Sequence, residues 1–215
     1  MYLFISSISS ALIFVKSINC GVCRSFFVFV ELPKKYKSKI LKEKTNMILD
    51  LLKKRYSCRG FNYQKIPNHV INYIVECGRL APSGGNEQPW KFGIITDKVI
   101  IDELAKASSY LYDQSWITSA PLIIALCTQI KLYFCEVVHI AGENMVIAAM
   151  EHGVYSTWIG CLDRDKATEL LEIDGYYLTS MISFGYPITE RSPTPKKNIE
   201  DITFTNNFNA KGVIL

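Results

Sequence analysis

Arg55-Tyr56-Ser57-Cys58-Arg59 sets a guanidinium on either side of a hydroxyl. Each guanidinium offers a rigid fork of charge-assisted donors and the serine adds another, so the set suits a phosphate. A solvated basic helix end complementing the macrodipole is the plain alternative. The run Ala81-Pro82-Ser83-Gly84-Gly85-Asn86-Glu87-Gln88-Pro89-Trp90 is more particular. Prolines fix its ends, and paired glycines let the backbone approach a flat ligand closely. Ser83, Asn86 and Gln88 supply hydrogen-bonding groups, and the two amides both donate and accept, as a pyrimidine edge requires. The loop lacks the Gly-Lys-Ser/Thr of a phosphate loop and the Gly-x-Ser-x-Gly of a hydrolase elbow. An ordinary connection remains the competing reading.

Gly153-Val154-Tyr155-Ser156-Thr157-Trp158-Ile159-Gly160 ends at a glycine whose backbone N–H could face a ligand. A helix stop followed by a strand explains that run equally well. Lys196 and Lys197 form a late basic pair that could meet a phosphate, although surface lysines are commonly just solvated. His69, His139 and His152 come with no carboxylate cluster and no His-Glu-x-x-His, so no metal site is expected. Seven cysteines, at 20, 23, 58, 77, 127, 135 and 161, include one Cys-x-x-Cys and no second pair to complete a zinc site. They suit the reduced, buried thiols of a cytoplasmic protein.

These groups need elements to hold them. Ile48, Leu51 and Leu52 predict a short amphipathic helix ending near Arg55. Pro67 opens a second, with Val70, Ile71, Ile74, Val75 and Gly78 on one face. Trp90–Ile95 reads as a strand, 98–110 as a helix, and Pro121–Cys127 as a strand buried on both faces. Glu136–His152 is a helix apolar nearly all round, which must be buried in a large core or at a subunit contact. Asp163 caps a helix running to Leu171, and Tyr177–Phe184 is a strand. Helices and strands do not alternate cleanly, which predicts α+β rather than a doubly wound parallel sheet.

Residues 1–46 stand apart. They hold eight of the 24 Lys/Arg and two of the 20 acids, leaving 16 basic and 18 acidic residues in 47–215. The main domain is thus mildly acidic, and no basic face points to nucleic acid. Met1–Val15 is apolar but shorter than the ~20 residues that span a bilayer, and no basic segment precedes it. A Lys-rich stretch, Pro33–Lys44, leads to Met47. Three readings are open: an extension outside the working protein with Met47 as its start, a membrane-associating hairpin within residues 1–30 with a basic flank, or an added element of the fold.

Taken in order, Arg-x-Ser-x-Arg-x-Phe (55–61), Ala-Pro-Ser-Gly-Gly-Asn-x-Gln-Pro-Trp (81–90), Trp-Ile-Gly (158–160), Gly-Tyr-Pro (185–187) and the late basic pair resemble the nitroreductase family over nearly all of 47–215. The resemblance implies an α+β fold with a mostly antiparallel sheet flanked by helices, an intertwined homodimer, and FMN at the subunit interface. It implies that NAD(P)H reduces FMN and leaves before a small electron-poor acceptor, a nitroaromatic or quinone, enters. Arg55, Tyr56, Ser57 and Arg59 match residues gripping the FMN phosphate and pyrimidine edge. Pro82, Ser83, Gly84, Asn86 and Gln88 match the loop reaching the ring from the partner chain. Ile159 and Gly160 match the segment whose N–H meets flavin N5, Lys196 and Lys197 the basic residues at the phosphate, and Gln114 a ring-contacting position. The flavin would supply the redox chemistry and the protein would bind, orient and tune it. That agrees with the lack of any acid, base or nucleophile constellation. Two departures bear on the pocket: Cys161 stands where the family often has a second glycine, and the segment 128–135 is short, leaving the acceptor site less walled. Related reactions such as dehalogenation or flavin destruction, and a flavin-binding sensor without fast turnover, are the competing functions.

Overall fold

The computed structural model describes residues 47–109, 111–129, 134–206 and 208, preceded by three short strands. The chain divides into two compact units, Met1–Asp50 and Leu51–Leu215. In the first, β1 (Ile5–Ile8) and β2 (Ala11–Val15) pair antiparallel, and β3 (Phe29–Val30) joins β2. Cys20, Cys23 and the Lys-rich stretch 33–44 lie outside the described residues. Among the described residues, no helix is long and apolar enough to cross a membrane. Next comes α1 (Met47–Lys54), none of whose residues is buried.

The second unit is built on a four-stranded antiparallel sheet: β4 (Trp90–Ile95), β5 (Leu122–Thr128), β6 (Tyr155–Ile159) and β7 (Tyr177–Gly185), in the order β4-β5-β7-β6. Its helices are α2 (Asn68–Arg79), α3 (Lys98–Ser108), α4 (Phe134–Met150) and α5 (Arg164–Leu170). Local chemistry sets their ends. Pro67 precedes α2, its fixed φ suiting a helix start. Asp97 accepts from the N–H groups of Val99 and Ile100, and Asp163 from that of Lys166, satisfying donors that a helix leaves orphaned. After Met150 the chain turns and Gly153 takes φ of 68°, so α4 stops two residues short of the expected His152.

All seven residues of β5 are buried, because each face of the sheet carries helices. Leu122, Ile124 and Leu126 pack with Val70, Ile74, Val138 and Met145 of α2 and α4. Ile123, Ala125 and Cys127 pack on the opposite face with Ile101 and Leu104 of α3 and Ala167 of α5. The nearly all-apolar α4 lies between the sheet and α2, which covers Val138, Met145, Val146 and Ala149, while Ile140 stays exposed. Its Gly142 lies so close to the sheet that a Cβ there would stand 2.5 Å from the Trp158 ring and 2.8 Å from Leu126 Cδ1. Only small residues permit such an approach.

Candidate functional site

On leaving α1 the chain is extended and runs beside β6. Ser57 forms a parallel bridge with Ser156, and the Cys58 N–H donates to the Ser156 carbonyl at 3.0 Å. The Thr157 hydroxyl donates to the Cys58 carbonyl. Further on, Phe61 bridges Pro187, and the Asn62 N–H donates to Tyr186 O at 2.9 Å. Extended backbone sends alternate side chains to opposite sides. Tyr56, Cys58 and Phe61 are buried with Ala120, so Arg55, Ser57 and Arg59 share the outward side. Among the described residues, neither guanidinium has a side-chain partner.

The inward side is tied down and chemically quiet. Tyr56 donates its hydroxyl hydrogen to Thr189 O at 3.3 Å and its ring lies 4.8 Å from that of Tyr155. Burial raises the pKa of both tyrosines above the ordinary phenol value. Burial likewise lifts the Cys58 thiol, with a backbone hydrogen bond from Gly60 and the charge of Arg191 working against it. Cys58 therefore stays protonated at neutral pH and is no nucleophile. Arg191, which the sequence did not single out, stands as a third guanidinium near this segment.

The loop after α2 is conformationally strained. Gly85, Asn86 and Gln88 have φ of 57°, 56° and 48°, and for the two side-chain-bearing residues that region is uncommon. The loop holds this form with its own groups: Ser83 Oγ accepts from the Gln88 N–H at 3.0 Å, and Gln88 Nε2 donates to Asn86 O at 3.2 Å. Pro82, Gly84, Asn86 and Gln88 are exposed and Ser83 half-buried. Strain kept in an exposed loop belongs with binding sites more than with connections. No described contact joins this loop to Arg55–Arg59 within the chain.

At the other end of β6, Ile159 is fully buried and Gly160 exposed, with nothing within 4 Å of the place a Cβ would occupy. Gln114 is 3% exposed, and its amide donates to Cys161 O at 2.8 Å and to Ser108 O. Arg164, also passed over in the sequence, donates from Nη2 to Gly160 O at 3.3 Å and Thr179 O at 3.1 Å. The available signal was its position: a basic residue at the first turn of a helix opposes the macrodipole. Lys196 and Lys197 are exposed in the tail. The described contacts of the 55–60 segment reach that tail at Ile188, Thr189 and Arg191, short of the lysine pair. The structure thus brings 55–59 to β6 and leaves the 82–88 loop and the lysines elsewhere on the same chain. A cavity of about 570 Å³ sits between β4 and residues 170–173.

The sequence pattern described as nitroreductase family matches residues 52–120 and 108–186. The oxygen-insensitive NADPH nitroreductase of Helicobacter pylori 26695 is 35% identical over 196 residues, covering 70% of this chain and 92% of that protein. Part of the iodotyrosine deiodinase of Thermotoga neapolitana is 37% identical over 60 residues, 28% of this chain and 32% of that protein. Among solved structures, an FMN-dependent nitroreductase of Clostridium difficile superposes with a TM-score of 0.68 at 23% identity, covering 74% of this chain and 98% of that one. An iodotyrosine deiodinase bound to FMN and 3-iodo-L-tyrosine gives 0.68 at 23%, over 75% and 100%.

Proposed function

This chain belongs to the nitroreductase family, and on that premise we propose that it holds FMN non-covalently and passes hydride from NAD(P)H to a small electron-poor acceptor. One observation carries the reading: Arg55, Ser57 and Arg59 share the outward side of a strand hydrogen-bonded to β6, the two guanidiniums without a side-chain partner among the described residues, and the far end of β6 opens at Gly160. Groups of that chemistry fit the nucleotide. The arginines and Ser57 would hold the phosphate and pyrimidine edge, and a backbone N–H at Gly160–Cys161 would face N5. FMN when bound supplies the two-electron chemistry, and positive charge at Arg55 or Arg59 would favour its reduced anion.

The 82–88 loop, remote from Arg55 in its own chain, is assigned to the FMN site of a second copy. Met47, Ile48, Leu49 and Leu52 of α1, with Ile199, Ile202, Phe204 and Phe208 of the tail, are exposed. Burying large apolar side chains contributes ~1.5–3 kcal/mol each, so their exposure supports a homodimer that covers them. Lys196 and Lys197 would then meet the phosphate only in that assembly.

The acceptor class is nitroaromatic or quinone-like. Reductive dehalogenation is the second reading, favoured by the stretch shared with iodotyrosine deiodinase. The test is to purify the full chain, load it with FMN, record its visible spectrum, and follow NADH and NADPH consumption with menadione, a nitrofuran and an iodophenol. Arg55→Ala is expected to lose most bound flavin, since each charge-assisted hydrogen bond contributes ~1.5–3 kcal/mol. An Arg55→Ala protein that stays fully yellow removes Arg55 from the site. A wild-type chain that takes up no FMN removes the proposal, and yellow protein without turnover makes it a carrier.

A further inference from the structure

The ladder between β6 and β7 ends at the pair Ile159–Met181. From there the strand partner is replaced by two side chains acting on consecutive carbonyls. Arg164 Nη2 takes Gly160 O at 3.3 Å and ties it across to Thr179 O of β7 at 3.1 Å. Gln114 Nε2 takes Cys161 O at 2.8 Å and ties it to Ser108 O at the end of α3. The Gln114 arrangement is out of water, Gln114 being 3% exposed, while the Arg164 bond to Gly160 O is exposed and that to Thr179 O part-buried.

A trans peptide is planar, so fixing the direction of one carbonyl fixes the next N–H, pointing the opposite way. Holding Gly160 O therefore aims the Cys161 N–H, and holding Cys161 O aims that of Leu162. Gly160 has no side chain and no neighbour within 4 Å of its missing Cβ, so its own contacts would leave the backbone free to rotate.

We propose that Gln114 and Arg164 are positioning residues for the two peptides from Gly160 to Leu162: Arg164, on the Gly160 carbonyl, aims the Cys161 N–H at flavin N5, and Gln114, on the Cys161 carbonyl, braces the next peptide so that this aim is kept. The inference rests on the FMN reading above. Gln114 acts through the Cys161 carbonyl rather than by touching the ring, which replaces its expected role as a ring contact. A fixed N–H favours the oxidised flavin, whose N5 only accepts, over the reduced flavin, whose N5 carries hydrogen. Gln114 is neutral, so removing its amide cannot alter the flavin through lost charge.

The test compares the FMN-loaded full chain with Gln114→Met, which keeps the length and volume of the side chain, and with Arg164→Lys, which keeps the charge but not the fork. Dye-linked titration gives the flavin midpoint potential, and equilibrium dialysis gives the affinity for oxidised FMN. The expected result for Gln114→Met is a tenfold loss of affinity for oxidised over reduced FMN, equivalent to a rise of about 30 mV for a two-electron couple. The oxidised absorption bands should shift with it, and kcat should fall more than KM rises. Arg164→Lys is expected to move the potential the same way, and it carries the test if Gln114→Met fails to fold. Equal loss of affinity for both redox states, with the potential unchanged, would mean plain structural support and overturn the proposal. Failure of wild-type protein to bind FMN would overturn the FMN reading and this inference together; binding with an unmoved potential overturns this one alone.

Discussion

Gly142→Ala tests whether α4 presses on the sheet at the place from which β6 is held. The added Cβ would meet the Trp158 ring at 2.5 Å, Leu126 Cδ1 at 2.8 Å and Ile182 Cδ1 at 3.1 Å. Two of these are below any ordinary carbon contact, and Leu126 and Ile182 are fully buried, so these side chains must repack or the helix must shift. Overpacking of this kind costs ~1–3 kcal/mol. Replacing glycine in a helix interior returns about 1 kcal/mol through backbone entropy. With two sub-contact clashes the steric loss sits at the upper end, leaving a net destabilisation of ~1–2 kcal/mol. In a domain of this size that lowers Tm by about 2–8 °C. Urea unfolding followed by tryptophan emission is the assay, with a lower midpoint at unchanged slope expected. Because Trp158 precedes Ile159 and Gly160, retained FMN should fall too. A variant as stable as wild type, or more so, refutes the claim that helix and sheet are in contact at Gly142.

Asp97→Ala removes acceptors for two orphaned N–H groups of α3 and should lower stability by ~1 kcal/mol in urea titration; no change would mean water replaces the cap at no cost. The buried Cys127 thiol is pushed up to about 11, chiefly by burial, from an ordinary 9.0. A raised pKa gives stability that is whole below pH 9 and lost as the unfolded thiol ionises first, up to ~2–3 kcal/mol by pH 11. Cys127→Ala should therefore show a shallower fall in unfolding free energy between pH 9 and 11 than wild type, and parallel curves would contradict the burial of that thiol.

The helices and strands from residue 68 onward were legible because each carries its own signal: Pro67 before α2, Asp97 and Asp163 as caps, and the unbroken apolar run of β5. Strand direction was legible only through the family resemblance, which implied a mostly antiparallel sheet, and not from the pattern of elements. Helix and strand do alternate from Trp90 to Gly185, a pattern that would equally serve a parallel sheet; only the register Leu122–Phe184 and Ile159–Met181 makes it antiparallel. The all-apolar α4 left burial in a core and at a subunit contact open, and its sandwiching by α2 depends on a close approach at Gly142 that periodicity cannot express. Of the site, Arg55–Arg59 was readable because residue type and spacing carry the chemistry. Arg191 was not, since its neighbours come from elsewhere in the chain, and Arg164 offered only an unfavourable charge at a helix start. Gln114 drew attention for its type, yet which carbonyl it would bind is a property of the folded chain.

Beyond Arg55, whose N–H donates to Leu51 O, the strand bearing Arg55 and Arg59 is held by distant partners: Cys58 by Ser156 and Thr157, Tyr56 by Thr189, Asn62 by Tyr186. Such contacts close loops of a hundred residues or so, and chain entropy makes them late in folding. It can dock only once β6 and β7 have found each other, and with so few bonds it should be among the first parts to open. A ligand gripping the arginines then closes a latch on the finished fold. At a hundred times its dissociation constant it would add about 2.7 kcal/mol to global stability. Amide exchange at Cys58 and Asn62 should slow on its binding, making the cofactor part of what keeps its own cradle shut.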